Sequence, residues 1–505
     1  MTVRRIMGIE TEYGITVPGV RIVNAMASST RLVNAYARHD VRGRQRNPKW
    51  DYSEEAPLRD ARGFDMTRAE ADPSQLTDDD MGMANVILTN GSRFYVDHAH
   101  PEYSSPEVTC PRDAVLWDRA GVAIMRRAAE YTLDDGVDQP IVLYKNNTDN
   151  KGASYGCHEN YLMSRTTPFS SIVAWMTPFF ISRQIFTGSG RLGVGQEAKR
   201  FQYQISQRAD FFEAEVGLET TFKRPIINTR DEPHCDPERF RRLHVIVGDA
   251  NMSDTATYLK MGTTSLVLSM LESGFLAGHD MTVIESVRAM STVSHDLTLG
   301  ARLPLTGNRN WTALEMQQEF WSLASRFCER EYGSDIDPDT AQVLHEWGSV
   351  LDRLETDPMD CSDVLDWVAK YRLMQAYRER DSLEWSSPQL QAIDLQYADI
   401  RPDRGLALRL ELRGQLRRMV TDEEIEHARL NAPTDTRAYF RGECLRRFPD
   451  EIAAASWDSL IFDLPGHESL VRVPTLEPSR GTKDHVGALL DRAVSAADLI
   501  DLLGS

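Results

Sequence analysis

The chain has 505 residues and a formal net charge of −19 at pH 7, which predicts either one large domain with an appendage or two to three domains. That charge argues against a nucleic-acid partner, whose phosphates need clustered Lys and Arg. The six scattered cysteines form no C-x-x-C pair, and no apolar run approaches the ~20 residues that span a bilayer, so neither a zinc knuckle, a disulfide framework nor a membrane span is indicated, and a soluble cytoplasmic protein with no membrane partner is expected.

Residues 5–17 alternate as a strand, with Met7, Ile9, Tyr13, Ile15 and Val17 on a mostly apolar face and Glu10 and Glu12 on the other. Residues 28–36 predict a short helix. From 42 to 83 the chain is crowded with Arg, Asp, Pro and Gly, too polar to pack well, and reads as a long mobile loop or lid. Residues 85–88 lead into the stretch on which the chain is organised, 91–110. There Arg93, Tyr95 and Asp97 point one way and Phe94 and Val96 the other, with His98, His100 and Glu102 following where the strand is expected to leave the sheet.

Residues 113–132 have helical periodicity. Residues 140–144 and a strand within 153–164 read as a hairpin across the turn-rich NNTDNKG. On that second strand His158 and Asn160 share a face, and Gly156 leaves room beside them. Residues 170–186 predict an apolar helix broken near Pro178. Next, Gly188, Gly190 and Gly193 have G-x-G-x-x-G spacing, but they follow a helix-like run, so a flexible loop is expected and not a dinucleotide turn. Arg191, Lys199, Arg200 and Arg208 form the most basic local patch, which a solvated helix face explains almost as well.

In 241–249, Arg242 and His244 lie on one side of a strand and Leu243, Val245 and Val247 on the other. Ser253 or Asp254 caps a buried helix to about Leu271. Helices dominate thereafter, clearest at 340–354, 364–377 and 388–397, up to a boundary near Pro433. The tail from about 431 predicts a small α/β lobe ending in an amphipathic helix, 484–503.

If the four polar-faced strands share one antiparallel sheet, their faces sum to a basin of carboxylate, imidazole, phenol, amide and guanidinium. Glu10, Tyr95, Glu102, His158 and His244 offer mostly hard oxygen donors and two nitrogens, a set suited to Mg²⁺ or Mn²⁺ completed by water and nucleotide phosphates. Arg242 can neutralise phosphate oxygens, and Ser104, Ser105 and Asn160 can donate hydrogen bonds. Asp97 stays ionised beside such ions and can attack a carbonyl, take a proton from water, or serve as one more ligand.

The segments GIETEYGI, NGSRFYVDHAHPEYSSPE, YGCHENY, RRLH, RGECLRRF and SWDSLIFDL together resemble the depupylase and Pup-deamidase family called Dop, over essentially the whole chain. That family is closely related to the Pup ligase PafA, and both are similar to the glutamine synthetase and carboxylate-amine ligase superfamily. The resemblance implies an α+β, glutamine synthetase-like catalytic domain over 1–430, with a curved antiparallel sheet backed by helices, and a small C-terminal domain over 431–505. It implies hydrolysis of the isopeptide bond joining Pup to target lysines and deamidation of Pup's C-terminal glutamine, with ATP and Mg²⁺ as bound cofactors. By motif, Asp97 is then the catalytic aspartate, and whether it forms an anhydride with Pup or activates water stays open. Glu10, Tyr95, Glu102, His158 and His244 become metal ligands, and Ser104, Ser105, Asn160, Arg242 and Trp457 nucleotide contacts. The 42–83 segment and the compact VDHAHPE follow the depupylase pattern over the ligase one. The alternatives are a Pup ligase, a small-molecule glutamate-amine ligase and a non-catalytic Pup-binding protein.

Overall fold

The protein, seen in a computed structural model, is described over residues 2–20, 22–40, 48–53, 55–67, 71, 84–136, 139–149, 154–194, 201–220 and 223–504. Its centre is a six-stranded antiparallel sheet in the spatial order Phe240–Val245, Cys157–Ser164, Met7–Glu12, His100–Ser104, Arg93–Asp97, Asn85–Ile87. Period-two alternation therefore sorts the side chains as the sequence predicts. Met7, Ile9, Phe94, Tyr161, Leu243 and Val245 go to the buried face, while their polar neighbours go to the other.

Helices cover the apolar face. Pro111–Asp134 starts with proline, whose missing N–H is no loss in a first turn, and it packs closely because Gly121 lies over a ring: a Cβ there would come within 2.3 Å of Tyr103. Asp254–Glu272 is capped by Ser253, which accepts from the Ala256 N–H, and is buried along almost its whole length. Ala25–His39 is capped by Asn24 and sets Leu32, Val33 and Tyr36 against Phe94 and Val96. Each large apolar side chain buried in this way contributes on the order of 1.5–3 kcal/mol.

Several expectations change. Residues 98–104 do not leave the sheet: the chain reverses after Asp97 and His100–Ser104 runs back beside Arg93–Asp97, so Pro101 sits within a strand. Val142–Tyr144 pairs with Gly14–Thr16 and not with Cys157–Ser164, because residues 145–148 leave it as buried polar chain in which Lys145 meets Asp118 and Asn147 donates to the Tyr155 carbonyl. Phe169–Thr187 runs unbroken through Pro178. Burial on all sides outweighs the one backbone bond that proline forfeits. The glycine-rich stretch is a strand, Arg191–Val194, paired with Phe201–Gln204, and Arg191 and Arg208 are buried, not a surface patch. Lys199 and Arg200 lie outside the described residues.

Within the expected 42–83 loop, residues 42–47, 54, 68–70 and 72–83 lie outside the described residues. The rest includes Lys49–Trp50, which pairs in parallel with Ile452–Ala455. That pairing extends the tail sheet of Ile452–Ala455, Ser459–Phe462 and Val471–Pro474 to four strands. Trp50, Phe440, Leu445 and Phe462 share its core. The tail ends in two helices, Lys483–Arg492 and Ala496–Gly504. Among the described residues, no helix is long and apolar enough to cross a membrane.

Candidate active site

Register places the polar residues against one another. Glu10 lies opposite His158 on one side and Ser104 on the other, Asn160 opposite His244, Tyr95 opposite Glu102, and Asp97 opposite His100. The donor atoms of Glu10, His158 and His244 lie within 4.8 Å of one another, and so do those of Glu12, Asp97 and Glu102. All of these residues except Glu12 line one polar cavity of about 740 Å³, together with Arg93, Glu232, His234 and Arg242. A second cavity of about 580 Å³ shares Glu10, Ser104, Arg242 and Trp457 with it but is otherwise more apolar, walled by Ile6, Leu162 and Pro478.

Asn160 is the hub of the first group. Its Nδ2 donates to Glu10 Oε1 at 2.8 Å, and its Oδ1 accepts from Arg242 Nη1 at 2.7 Å and lies 2.9 Å from His244 Nδ1. Glu10 Oε2 is 3.4 Å from His158 Nδ1. Burial alone would raise the Glu10 pKa, but the His158 hydrogen bond and the charges of His244, His158 and Arg242 hold it well below the usual carboxylate range. Burial, with Arg242 adding to it, keeps the His244 imidazole neutral by pushing its pKa well down. A neutral imidazole beside an ionised carboxylate is the form that binds metal.

In the second group the carboxylates press on one another. Burial and the charges of Asp97, Glu12 and Glu10 push Glu102 well above its ordinary value, with Tyr95 hydrogen-bonding to it. Asp97 goes the other way: burial opposes ionisation, yet the hydrogen bond and charge of His98 keep its pKa low. Glu12 Oε1 accepts from the Gly156 N–H at 2.6 Å, and a Cβ on Gly156 would meet both Glu12 and His158 below 3 Å, so only glycine lets these strands approach. This donor set fits divalent cations, whose charge relieves repulsion among converging oxygens.

All ten residues singled out beside Asp97 line one or both of these cavities. Ser105 differs in character: its hydroxyl accepts from the Ile9 N–H at 2.9 Å and donates to the Pro106 carbonyl, so it ties adjacent strands together as well. Half-buried Trp457 is held edge-on by Trp50 at 5.3 Å. The sequence reading gave no role to Glu12, although its parity with Glu10 marked it. Arg93 was placed on the right face but without its setting, between the rings of Trp50 and Tyr95 at 3.9 Å from each centroid. Arg230, Glu232 and His234 come from an irregular segment without periodicity and carried no signal.

A family model described as Pup-ligase protein matches residues 5–461. Among known proteins the chain is 60% identical over 499 residues to the "Depupylase" of Acidothermus cellulolyticus, covering 99% of each. It is 53% identical over 500 residues to the "Pup deamidase/depupylase" of Mycolicibacterium smegmatis and 53% over 503 residues to that of Mycobacterium tuberculosis, again with 99% of each covered. Among solved structures it resembles the complex between Prokaryotic Ubiquitin-like Protein Pup and its ligase PafA, with a TM-score of 0.79 at 32% identity over 99% of this chain and 95% of that one. It also resembles PafA in complex with ADP, with a TM-score of 0.72 at 35% identity over 81% and 89% of the two chains.

Proposed function

The chain belongs to the Pup-ligase protein family, and from its likeness to depupylases and Pup deamidases over its whole length we propose that it deamidates the C-terminal glutamine of Pup and removes Pup from target lysines. It is an enzyme that hydrolyses amide and isopeptide bonds, its partners are Pup and pupylated proteins, and it binds nucleotide. Both reactions add water across the same side-chain amide carbon, releasing ammonia in one case and a lysine amine in the other, so a single site serves both.

What carries this reading is the position of Asp97, an ionised carboxylate grouped with Glu12 and Glu102 on the face that also holds Glu10, His158 and His244. In the proposal Glu10, Tyr95, Glu102, His158 and His244 hold Mg²⁺, with Glu12 added to the set, and Ser104, Ser105, Asn160, Arg242 and Trp457 contact ATP in the adjoining apolar compartment. Bound cation and phosphate supply fixed charge that favours an anionic oxygen near the amide. Asp97 then either attacks the amide carbon, the amine leaving with a proton from solvent and an anhydride remaining for water to open, or takes the proton of a water that attacks directly and passes it to the leaving amine. The nucleotide is not consumed by either route. Residues 1–430 form the catalytic domain and 431–505 the C-terminal one in this proposal, and the protein works in the cytoplasm.

Incubation with glutamine-ended Pup and Mg-ATP tests the reading by mass spectrometry. A gain of one mass unit without stoichiometric ADP is expected. ADP formed in step with coupling of glutamate-ended Pup to lysine would instead identify a ligase.

A further inference from the structure

The turn that carries the chain away from Asp97 is built at a conformational disadvantage. Asp97 and His100 are the last opposed pair of the hairpin, so His98 and Ala99 alone make the reversal. Such two-residue turns favour glycine or asparagine where φ is positive. Here His98 occupies that position with φ 50°, in the left-handed region that residues other than glycine adopt uncommonly. The turn is fixed from outside as well: Ser29, on the helix Ala25–His39, donates from its hydroxyl to the Ala99 carbonyl at 2.8 Å.

What this backbone achieves is the placement of one ring. His98 Nδ1 lies 3.0 Å from Asp97 Oδ1, and both side chains line the polar cavity. A glycine would make the turn more readily but would offer nothing to the carboxylate. Strain retained next to a reactive group points to a task for the strained residue. We propose that His98 is a positioning residue for hydrolysis: its ring N–H fixes Asp97 Oδ1, sets the carboxylate plane, and leaves Oδ2 to attack the amide carbon or take the proton of water. This rests on Asp97 being the reacting acid of the proposed function.

Three variants of the full chain, assayed on glutamine-ended Pup with Mg-ATP, separate the possibilities. His98→Gly relaxes the turn and removes the ring. It is expected to keep or raise the melting temperature and leave the KM for Pup and ATP within about twofold, while kcat falls about 10–100-fold, as when a supporting hydrogen bond to a working side chain is lost. His98→Asn tolerates the same φ and presents an amide N–H where the ring N–H was, so it is expected to return kcat to within about fivefold of the parent. Unchanged kcat in folded His98→Gly overturns the proposal, as does a folded His98→Asn no faster than His98→Gly. If His98→Gly fails to fold, His98→Asn decides alone: near-parent kcat supports the role and a large loss overturns it. Asp97→Asn run in parallel must be inactive with ATP still bound. If it turns over, the reading of Asp97 fails whatever the His98 variants do.

Discussion

At the scale of single residues, the proposed metal site depends on which groups keep their charge. Glu10 is buried, yet it is ionised because His158, His244 and Arg242 surround it and Asn160 donates to it. Glu10→Gln keeps the shape and removes the charge, leaving the Asn160 amide to face another amide. The apparent affinity for Mg²⁺ is therefore expected to fall about 10–100-fold, read from the Mg²⁺ dependence of deamidation and from calorimetric titration with Mn²⁺. Equal affinities in parent and variant would remove Glu10 from the ligand set. Strand parity made Glu10, Tyr95, Asp97, His158 and His244 legible in the sequence, because burial of one face dictates what the other shows. The same rule covers Glu12, whose neighbour across the sheet, His100 at 3.2 Å from Nδ1 to Oε2, only the folded chain reveals. No rule of spacing reaches Glu232 or His234, which arrive on irregular chain.

Elements were legible where one driving force decided them and illegible where long-range contacts did. The capped helix Asp254–Glu272 and the four polar-faced strands follow from local pattern. The reversal at His98 and Ala99 was hidden because it lacks the usual turn glycine, and the docking of Lys49–Trp50 on the tail sheet was hidden because a polar stretch needs only one tryptophan to anchor it. Glu107 shows how such elements are fastened. It follows the central hairpin and pairs with Arg437 at 2.7 Å and with Arg441, just before and on the tail helix Ala438–Arg447. Burial would raise its pKa, but the two arginines bring it down to about 2. A carboxyl whose folded value lies below its unfolded one stabilises the fold fully above the unfolded value, near 4.5, and progressively less as pH falls toward 2. Glu107→Gln leaves two buried guanidinium groups without their counter-charge and is expected to cost about 3–5 kcal/mol at pH 7. Urea unfolding at pH 7 and at pH 3 checks this: the gap between parent and variant should narrow at the lower pH. A gap that stays constant would show that the charge of Glu107 is not what fastens the tail.

For the whole molecule, the apolar compartment lies at a joint. Leu162, Ser104 and Ser105 come from the central sheet and the segment just after it, whereas Arg437, Trp457 and Pro478 come from the tail. Trp457 is in turn held by Trp50, from the segment that the tail sheet recruits, and by Arg441, whose guanidinium lies 5.0 Å from its ring. A molecule bound there touches both parts and holds them together, so its binding free energy adds to the stability of their association. At a concentration one hundred times Kd, linkage gives about 2.7 kcal/mol. Mg-ATP is therefore expected to raise the melting temperature by a few degrees, and Trp457→Ala, which removes the tail's ring while leaving the metal ligands in place, to need a higher ATP concentration for the same rise. Differential scanning calorimetry across an ATP series measures both. An identical dependence in parent and variant would place the nucleotide away from the joint, since only an occupant in contact with Trp457 can feel the loss of that ring.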